Sequence, residues 1–264
     1  MWGDNLADMI ATTNSELLLV SQWCVANKMS LNTDKTLAMI FSNRKIGAHR
    51  EVPPIILKNG YTFDTIQRVE SIKFLGIHYD PQLKFKKHIS ILSNKLSRIA
   101  GLLYRLSFFL PSHILKKVYH AHVNSLLSYN TPIWSCNYIN NLKPLIQVQK
   151  KIIRIITRND FLAHSQPLVK KSKILNIIDL NKLYLGKLFH KNPDKYINPL
   201  RLNHEHNTRN ENDLRPPRFR STLAQNSFLV QGPINFNNIP AHIQLIQSKI
   251  SFKRKLKEHL LSLY

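Results

Sequence analysis

Histidine, cysteine and acidic residues carry most metal and nucleophilic chemistry in proteins, and this sequence groups them in few patterns. The His-Glu-His stretch at 204–206 could bind a metal ion, but it lies in a polar segment without a third ligand nearby. His120 and His122 are two positions apart, so they diverge on a helix. Cys24 and Cys136 form no CxxC pattern, which indicates reduced structural thiols in an intracellular protein. Nucleophile elbows and glycine-rich phosphate loops are absent from the sequence, so we expect neither a metal site nor a hydrolase site.

Lysine and arginine are far more informative. The chain has 264 residues and carries 38 Lys and Arg against 15 Asp and Glu, a formal net charge of +23. Such a charge concentrates polyanions, so the default partners are nucleic acid or an anionic membrane surface. No segment reaches the roughly eighteen apolar residues of a membrane-spanning helix, and the N-terminus lacks the pattern of a signal peptide. We therefore expect RNA and DNA as partners, and no membrane.

The positive charge is concentrated in one stretch. Between Pro81 and Asn159 the sequence has no Asp or Glu. A solvated helix normally mixes both signs, because opposite charges four residues apart stabilise it and like charges destabilise it. The missing acids therefore indicate a surface reserved for an anionic partner. The cations of this stretch are Lys84, Lys86, Lys87, Lys95, Arg98, Arg105, Lys116, Lys117, Lys143, Lys150, Lys151, Arg154 and Arg158.

Two predicted helices in this stretch place their cations on one side. At 100° per residue, the cations of the first helix fall within about 80° of one another, beside an apolar face with Ile89 at its edge. The basic residues are Lys84, Lys87, Lys95, Arg98 and Arg105, and the apolar ones are Leu92, Leu96, Ile99 and Leu103. The other helix has Leu145, Ile152 and Ile156 on one side and Lys151, Arg154 and Arg158 on another. Two such stripes could follow a phosphate backbone without contacting bases.

The basic stretch is also compatible with two different roles. A generic helical bundle could carry its lysines only for solubility, although solubility alone would not exclude acidic residues. A membrane-surface protein would interleave Trp and Phe with its basic face, and only Phe108 and Phe109 fit that pattern. Binding to a nucleic-acid backbone accounts best for the missing acids.

Residues 1–80 are predicted to mix helix and strand. A helical pattern runs from Asp4, a candidate N-cap, to about Lys28. Its expected buried side consists of Leu6, Ile10, Leu17 or Leu18, and Val20 or Trp23. A turn is expected at 30–36, a buried strand at 37–41, a strand at 55–57 and a further strand at 71–79. Asn59-Gly60 predicts a hairpin turn that leads toward Tyr61 and Phe63.

From Pro81 onward the sequence is predicted to be mainly helical. The expected helices are 86–108, 112–128, 141–158, 179–191 and a final basic helix from about Ser251. Residues 192–217 are polar, and 203–217 have the composition of an exposed loop or linker.

Short motifs follow one another along the whole chain. The first are Gln22-Trp23, 27–32 (Asn-Lys-Met-Ser-Leu-Asn), Lys35-Thr36, and 73–77 (Lys-Phe-Leu-Gly-Ile) with Asp80, Leu83, Phe85, His88 and Ile89. Then come Tyr129, 132–134 (Pro-Ile-Trp), 149–152 (Gln-Lys-Lys-Ile), Arg154, Thr208-Arg209, Leu214-Arg215, Pro217-Arg218, Ser227-Phe228, Gly232-Pro233 and 237–240 (Asn-Asn-Ile-Pro). The ordered set resembles the C-terminal part of reverse transcriptases from jockey-like non-LTR retrotransposons.

That resemblance implies roles for several residues. The 31–41 region is similar to the palm motif that follows the catalytic aspartates, where Lys35 would lie near the phosphates of the incoming nucleotide. A turn lysine that faces water is the alternative. Phe74-Leu75-Gly76 resembles the primer grip, a hairpin against the primer terminus. For Phe74 and Leu75 alone, core packing is the more common explanation. The helices of 81–158 would be the thumb, which holds a template–primer duplex by its backbone.

The catalytic centre of the family is missing from this sequence. Polymerase chemistry needs carboxylates that hold two Mg²⁺ ions about 3.5–4 Å apart, and in the family an adjacent Asp-Asp pair supplies part of them. This sequence contains no Asp-Asp pair. Asp4 and Asp8 lie one helical turn apart, but they are better understood as capping and surface residues of the first helix. We therefore expect no cofactor in this chain, whereas the intact family enzyme uses Mg²⁺.

Taken together, the sequence predicts an α+β protein with a partial palm at 1–80, a helical thumb at 81–163 and a helical, partly irregular region at 164–264. The expected function is that of a reverse-transcriptase fragment that binds template–primer nucleic acid without polymerising. The alternative is a structural or regulatory nucleic-acid-binding module derived from a retroelement. The expected location is intracellular, in nucleus and cytoplasm. Nucleic-acid contacts are expected at Phe74, Leu75, Gly76, Lys84, Lys87, Lys95, Arg98, Arg105, Lys150, Lys151, Arg154 and Arg158.

Overall fold

The computed structural model describes residues 5–42, 52–59, 62–136, 138–197, 200 and 213–264. The chain forms two compact units, Met1–Lys87 and His88–Tyr264. Several sequence predictions lie outside the described residues: the N-cap at Asp4, the turn at Gly60 and Tyr61, and residues 203–212 of the exposed loop expected at 203–217, which include the His-Glu-His stretch at 204–206 and Thr208-Arg209. The described part is mostly helical with short strands, which is compatible with the predicted α+β class.

The first unit combines one long helix with short strands. Its described elements are α1 (Leu6–Ala26), a 3₁₀ turn (Thr33–Lys35), β1 (Leu37–Ala38), β2 (Ile56–Asn59), β3 (Thr62–Thr65), β4 (Gln67–Arg68), β5 (Ile72–Phe74) and β6 (Ile77–Tyr79). The strands pair in twos: β1 is parallel to β4, and β2–β3 and β5–β6 are antiparallel hairpins. The predicted hairpin around Asn59 is confirmed, since Asn59 pairs with Thr62.

Helix α1 is present as predicted, but its buried side differs from the prediction. The N-cap is Asn5, whose side chain accepts a hydrogen bond from the Ala7 N–H at 3.1 Å. Ile10, Ser21 and Cys24 are buried, whereas the predicted Val20 and Trp23 are exposed. The helix packs against β2, where the Ser21 hydroxyl donates to the Lys58 carbonyl. A serine that bonds to a strand cannot be found from the spacing of apolar residues.

Two strand predictions are also corrected. The strand expected at 37–41 has only two residues, and Leu37 and Phe41 are exposed rather than buried. Among the described residues β1 pairs only with β4, in a sheet of two strands. The single strand expected at 71–79 is a hairpin that turns at Leu75-Gly76. Both turn residues have positive φ, 46° and 81°, as a two-residue turn of the I′ type requires.

The second unit is helical in its described part. Its elements are most of α2 (Lys86–Leu106), then α3 (Ser112–Val118), a π-helical segment (Tyr119–Asn124), α4 (Ser125–Ser128), α5 (Thr131–Trp134), α6 (Ile139–Thr157), α7 (Ser165–Ser172), α8 (Ile177–Lys191), α9 (Pro193–Tyr196), α10 (Thr222–Gln225), α11 (Phe228–Asn237), α12 (Ala241–Gln244) and α13 (Lys249–Ser262). The long helices lie where the sequence predicts them, and the helix expected at 112–128 is interrupted by the π-helical segment.

Helix α8 lies at the centre of the second unit, packed against α11 and α13. Its buried Leu183 and Phe189 join Phe236 of α11 and Phe252 and Leu256 of α13 in one hydrophobic core. On the other side of the unit, α2 buries an apolar face and α6 packs against α7. The buried faces of α2 and α6 fix the rotation of these two helices, which carry the predicted basic stripes.

Candidate nucleic-acid interface

The basic side of α2 faces solvent. Lys87, Lys95, Arg98 and Arg105 are exposed. The opposite side is buried through His88, Ile89, Leu92, Leu96, Ala100 and Leu103, which confirms the predicted apolar face. Ile99 is only partly buried and so lies at the edge of that face. Burial of one side fixes the rotation of the helix, and its cations are therefore held outward as a row.

Lys84 does not belong to this row, because α2 begins only at Lys86. Leu83 and Phe85 have positive φ, so the chain turns sharply before the helix. Asp80 caps the turn: its carboxylate accepts from the backbone N–H groups of Lys84 at 2.7 Å and Lys86 at 3.3 Å. The Lys84 ammonium donates to the Gln82 side chain at 2.7 Å. The assignment of Lys84 to a helical face was wrong, because helical spacing does not continue across this turn.

The cations of α6 divide into two kinds. Lys150 and Lys151 are exposed. Arg154 is partly buried and donates through Nε to the Ala163 carbonyl at 2.8 Å, and its guanidinium lies 5.9 Å from the centre of the Phe161 ring. Arg158 follows the helix in a left-handed conformation and donates through Nη2 to the carbonyls of Ser107, at 3.1 Å, and Leu110, at 3.0 Å. The two arginines therefore hold neighbouring backbone in place through hydrogen bonds, in addition to supplying positive charge.

These bonds create a groove between the C-terminal ends of α2 and α6. The groove has a volume of about 510 Å³ and is lined by Tyr104, Ser107, Phe108, Lys151, Arg154, Ile155, Arg158, Asn159 and Phe161. Tyr104 and Phe108 contact each other edge to face, with ring centres 5.2 Å apart. The structure thus brings Lys151, Arg154 and Arg158 together, whereas Lys95, Arg98 and Arg105 do not line this groove. The sequence did not predict it, because Tyr104 and Phe161 approach the arginines only through tertiary packing.

The hairpin β5–β6 presents its tip to solvent. Phe74 and Leu75 are 59% and 69% exposed, so they are not core residues. Phe74 contacts Tyr79 across the hairpin at 6.5 Å between ring centres, and Tyr79 contacts the buried Phe85 at 5.5 Å. Leu75 in a left-handed conformation is strained, since this region favours glycine. The tip is therefore an exposed, apolar projection, and its predicted contact with a primer stays a prediction.

Lys35 ends the 3₁₀ turn and is exposed. Its backbone N–H donates to the Asn32 side chain at 2.9 Å. The predicted turn is thus confirmed, and the role of the Lys35 ammonium near phosphate stays a prediction.

A second group of cations converges from several helices of the second unit. Desolvation lowers the pKa of Lys257 on α13, and the charges of Lys116, Lys253 and Lys173 lower it further. Desolvation, followed by Lys257 and Lys116, likewise lowers the pKa of His120. The sequence did not predict this cluster, because its members are far apart in the chain.

The described residues do not fit a pair of catalytic magnesium ions. Among them, no group of three or more His, Cys, Asp or Glu side chains lies in a position to hold a metal ion. Asp8 is exposed and accepts a hydrogen bond from the Asn5 side chain at 2.7 Å, which is a capping arrangement. In the same part of the chain, no helix is long and apolar enough to cross a membrane.

Comparison with known proteins gives a distant relative. The chain is 22% identical over 166 residues to a Drosophila melanogaster protein described as "Probable RNA-directed DNA polymerase from transposon X-element". The match covers 61% of the chain and 17% of that protein, so the chain spans less than a fifth of its relative. No protein-family model matches the chain, and no solved structure gives a significant match. The chain is thus distantly similar to a transposon reverse transcriptase.

Proposed function

We propose that this chain is a fragment of a retrotransposon RNA-directed DNA polymerase that binds template–primer nucleic acid through its sugar–phosphate backbone. In this proposal 81–163 is the thumb, 1–80 is part of the palm, and the hairpin tip at Phe74-Leu75-Gly76 contacts the primer. The chain does not polymerise by itself, because it lacks the Asp-Asp pair that the family uses to hold Mg²⁺. It acts inside the cell, where its RNA and DNA partners are found.

The observation that carries the proposal is the exposed row of cations on α2. Lys95, Arg98 and Arg105 are exposed, and the apolar side of the same helix is buried. The stretch from Pro81 to Asn159 contains no carboxylate, so no acidic side chain within it can neutralise this row. A fixed row of cations without acidic residues in the same stretch of sequence is well placed to bind the regularly spaced phosphates of a nucleic-acid backbone. The distant similarity to a transposon polymerase supports the same partner.

Binding is tested by its dependence on salt. We measure fluorescence anisotropy with a labelled RNA–DNA duplex between 50 and 200 mM salt, for the wild type and for a variant with Lys95, Arg98 and Arg105 changed to Gln. If the wild type contacts about four phosphates, its affinity falls about 50- to 150-fold over this range. Removing three contacts lowers the slope of log affinity against log salt by about two to three.

A matched variant separates a specific row from general charge. Lys171, Arg220 and Arg254 are exposed cations elsewhere in the second unit, and changing them to Gln removes the same net charge. This control keeps most of the wild-type slope. Equal slopes for the two triple variants, or a wild type that does not bind the duplex at 50 mM salt, contradict the proposal. In a primer-extension assay with RNA template, DNA primer, dNTPs and Mg²⁺, template-dependent products from the purified chain contradict the part that denies polymerisation.

A further inference from the structure

The groove between the ends of α2 and α6 combines exposed aromatic rings with positive charge. Tyr104, Phe108 and Phe161 are 55%, 68% and 66% exposed, although aromatic rings of this size are usually covered. Lys151, Arg154 and Arg158 bring positive charge to the same groove. Asp and Glu are absent from its described lining residues. A ligand that fits must offer both a flat apolar face and negative charge.

We propose that this groove binds an unpaired nucleotide of single-stranded RNA or DNA, with the base against the Phe108 and Phe161 rings and the phosphate at Lys151 and the two arginines. The inference deepens the proposed function, because it assumes that the chain binds nucleic acid. The volume of about 510 Å³ lies within the range of small-molecule sites and admits a base with its sugar.

The geometry holds the aromatic rings in place before a ligand arrives. Arg158 donates hydrogen bonds to the carbonyls of Ser107 and Leu110, which lie on either side of Phe108 in the sequence. These hydrogen bonds fix the turn that carries the Phe108 ring. Phe108 also contacts the Tyr104 ring edge to face. Arg154 bonds to the Ala163 carbonyl with its guanidinium over Phe161, which restrains the third ring. A stacking surface that is already ordered loses little entropy on binding.

The charges at the groove are not used up by these bonds. A guanidinium has five N–H donors, and the two bonds of Arg158 use Nη2 while the bond of Arg154 uses Nε. Lys151 is exposed at the rim of the groove. Donors therefore remain at both arginines for a phosphate.

The exposed ring faces favour an unpaired strand over a duplex. In a duplex each base is stacked on its neighbours, so its flat face is not available to a protein ring. In a single strand the faces are free, and aromatic residues beside a basic groove are the usual means of binding them. The α2 row and the groove thus bind different nucleic-acid structures. The row contacts the backbone of a duplex, and the groove contacts an unpaired nucleotide.

The test compares a labelled twelve-nucleotide oligo(U) with a blunt RNA–DNA duplex in anisotropy titrations of the full chain. Phe108 and Phe161 are changed to Ala together. We expect affinity for oligo(U) to fall by about 5- to 150-fold, since one base stacked on an aromatic ring contributes that much. Affinity for the duplex changes by less than about twofold.

The chain offers a matched control beside each tested residue. Phe109 and Leu162 are 84% and 83% exposed, adjacent in sequence, and outside the groove. Changing both to Ala removes similar apolar surface and leaves oligo(U) affinity unchanged. A Phe108→Trp variant retains oligo(U) binding, and its added indole is quenched when oligo(U) is titrated in.

Four nucleic-acid binding results overturn the inference alone. They are undiminished oligo(U) binding by the Phe108 and Phe161 variant, an equal loss for the duplex, an equal loss in the Phe109 and Leu162 control, and a wild type that binds duplex but not oligo(U). None of them removes the α2 salt slope, so the inference can fail while the proposed function stands. Binding of anionic vesicles that needs Phe108 and Phe161 would likewise assign the groove to a membrane surface and overturn it. Failure of the wild type to bind either nucleic acid contradicts both.

Discussion

Gln149 is a polar side chain in the middle of α6 that is only 1% exposed, and its amide makes three hydrogen bonds. Its Nε2 donates to the Tyr119 hydroxyl at 2.9 Å and to the Leu175 carbonyl at 3.0 Å. Its Oε1 accepts from the Ile177 N–H at 2.9 Å, at the start of α8. One side chain therefore connects the π-helical segment, the loop before α8 and α8 itself to the helix that lines the groove.

We expect Gln149→Leu to lower the free energy of unfolding of the second unit by at least about 2 kcal/mol. Leucine is similar in size but cannot form hydrogen bonds. It therefore leaves the Ile177 N–H and the Leu175 carbonyl without a hydrogen-bond partner in the core, each at a cost of about 1–3 kcal/mol. Urea unfolding followed by circular dichroism measures the loss. Gln147→Leu, an exposed neighbour on α6, is the control and should change stability by less than about 0.5 kcal/mol. Equal losses in the two variants would mean that the buried bonds contribute nothing.

At the scale of elements, Gly232 of α11 lies directly against a side chain of α8. A methyl group added there would lie 2.2 Å from Cε2 of Phe189, on α8. Phe189 is 1% exposed and stacks on Tyr196, so its ring has nowhere to move. Packing between the two helices therefore requires glycine at this position. The contact between α11 and α8 also stabilises α11 in spite of the low helix propensity of glycine.

We expect Gly232→Ala to destabilise the second unit by about 1–3 kcal/mol, the usual cost of overfilling a packed core. Gly101→Ala in α2 is the control, because nothing lies within 4 Å of the added methyl group. That change should raise stability by about 0.5–1 kcal/mol, since alanine favours a helix interior over glycine. Thermal unfolding measures both variants. A stabilised Gly232→Ala variant would contradict the packing of α11 on α8.

The elements that the sequence predicted and those it missed differ in one physical respect. Helices α2 and α6 were predicted because their apolar residues recur at helical spacing over about twenty residues, as at Leu92, Leu96 and Leu103. Helix α11 was not predicted, because Gly232 and Pro233 are residues that normally end helices. The reason for a glycine at 232, its contact with Phe189 of α8, is visible only in the fold. The groove was missed for the same reason: Phe161 reaches Arg154 through the bend after α6. Local spacing predicts amphipathic helices, and tertiary packing decides the rest.

At the scale of the whole molecule, a net charge of +23 coexists with exposed apolar surface in the first unit. On α1, Leu19, Val20 and Trp23 are 59%, 47% and 60% exposed. Leu19 and Trp23 are four residues apart and so lie on the same side of the helix. Such a patch favours self-association, whereas the net charge opposes it through repulsion between copies. Salt decides the balance, because it screens the repulsion and leaves the apolar attraction in place.

We therefore expect the purified chain to self-associate more as salt rises from 0.1 to 1 M, where the screening length falls from about 10 Å to about 3 Å. A variant with Leu19 and Trp23 changed to Gln should stay monomeric over this range, with a stability change below about 0.5 kcal/mol per exposed site. Ala7→Gln with Ala11→Gln adds the same side chains at other exposed positions of α1 and should associate like the wild type. Sedimentation velocity measures all three proteins. Over the same range of salt concentration, nucleic-acid binding should weaken while self-association strengthens, so the opposite trends separate the cationic surface from the apolar one. Self-association that falls as salt rises would assign the association to charge instead.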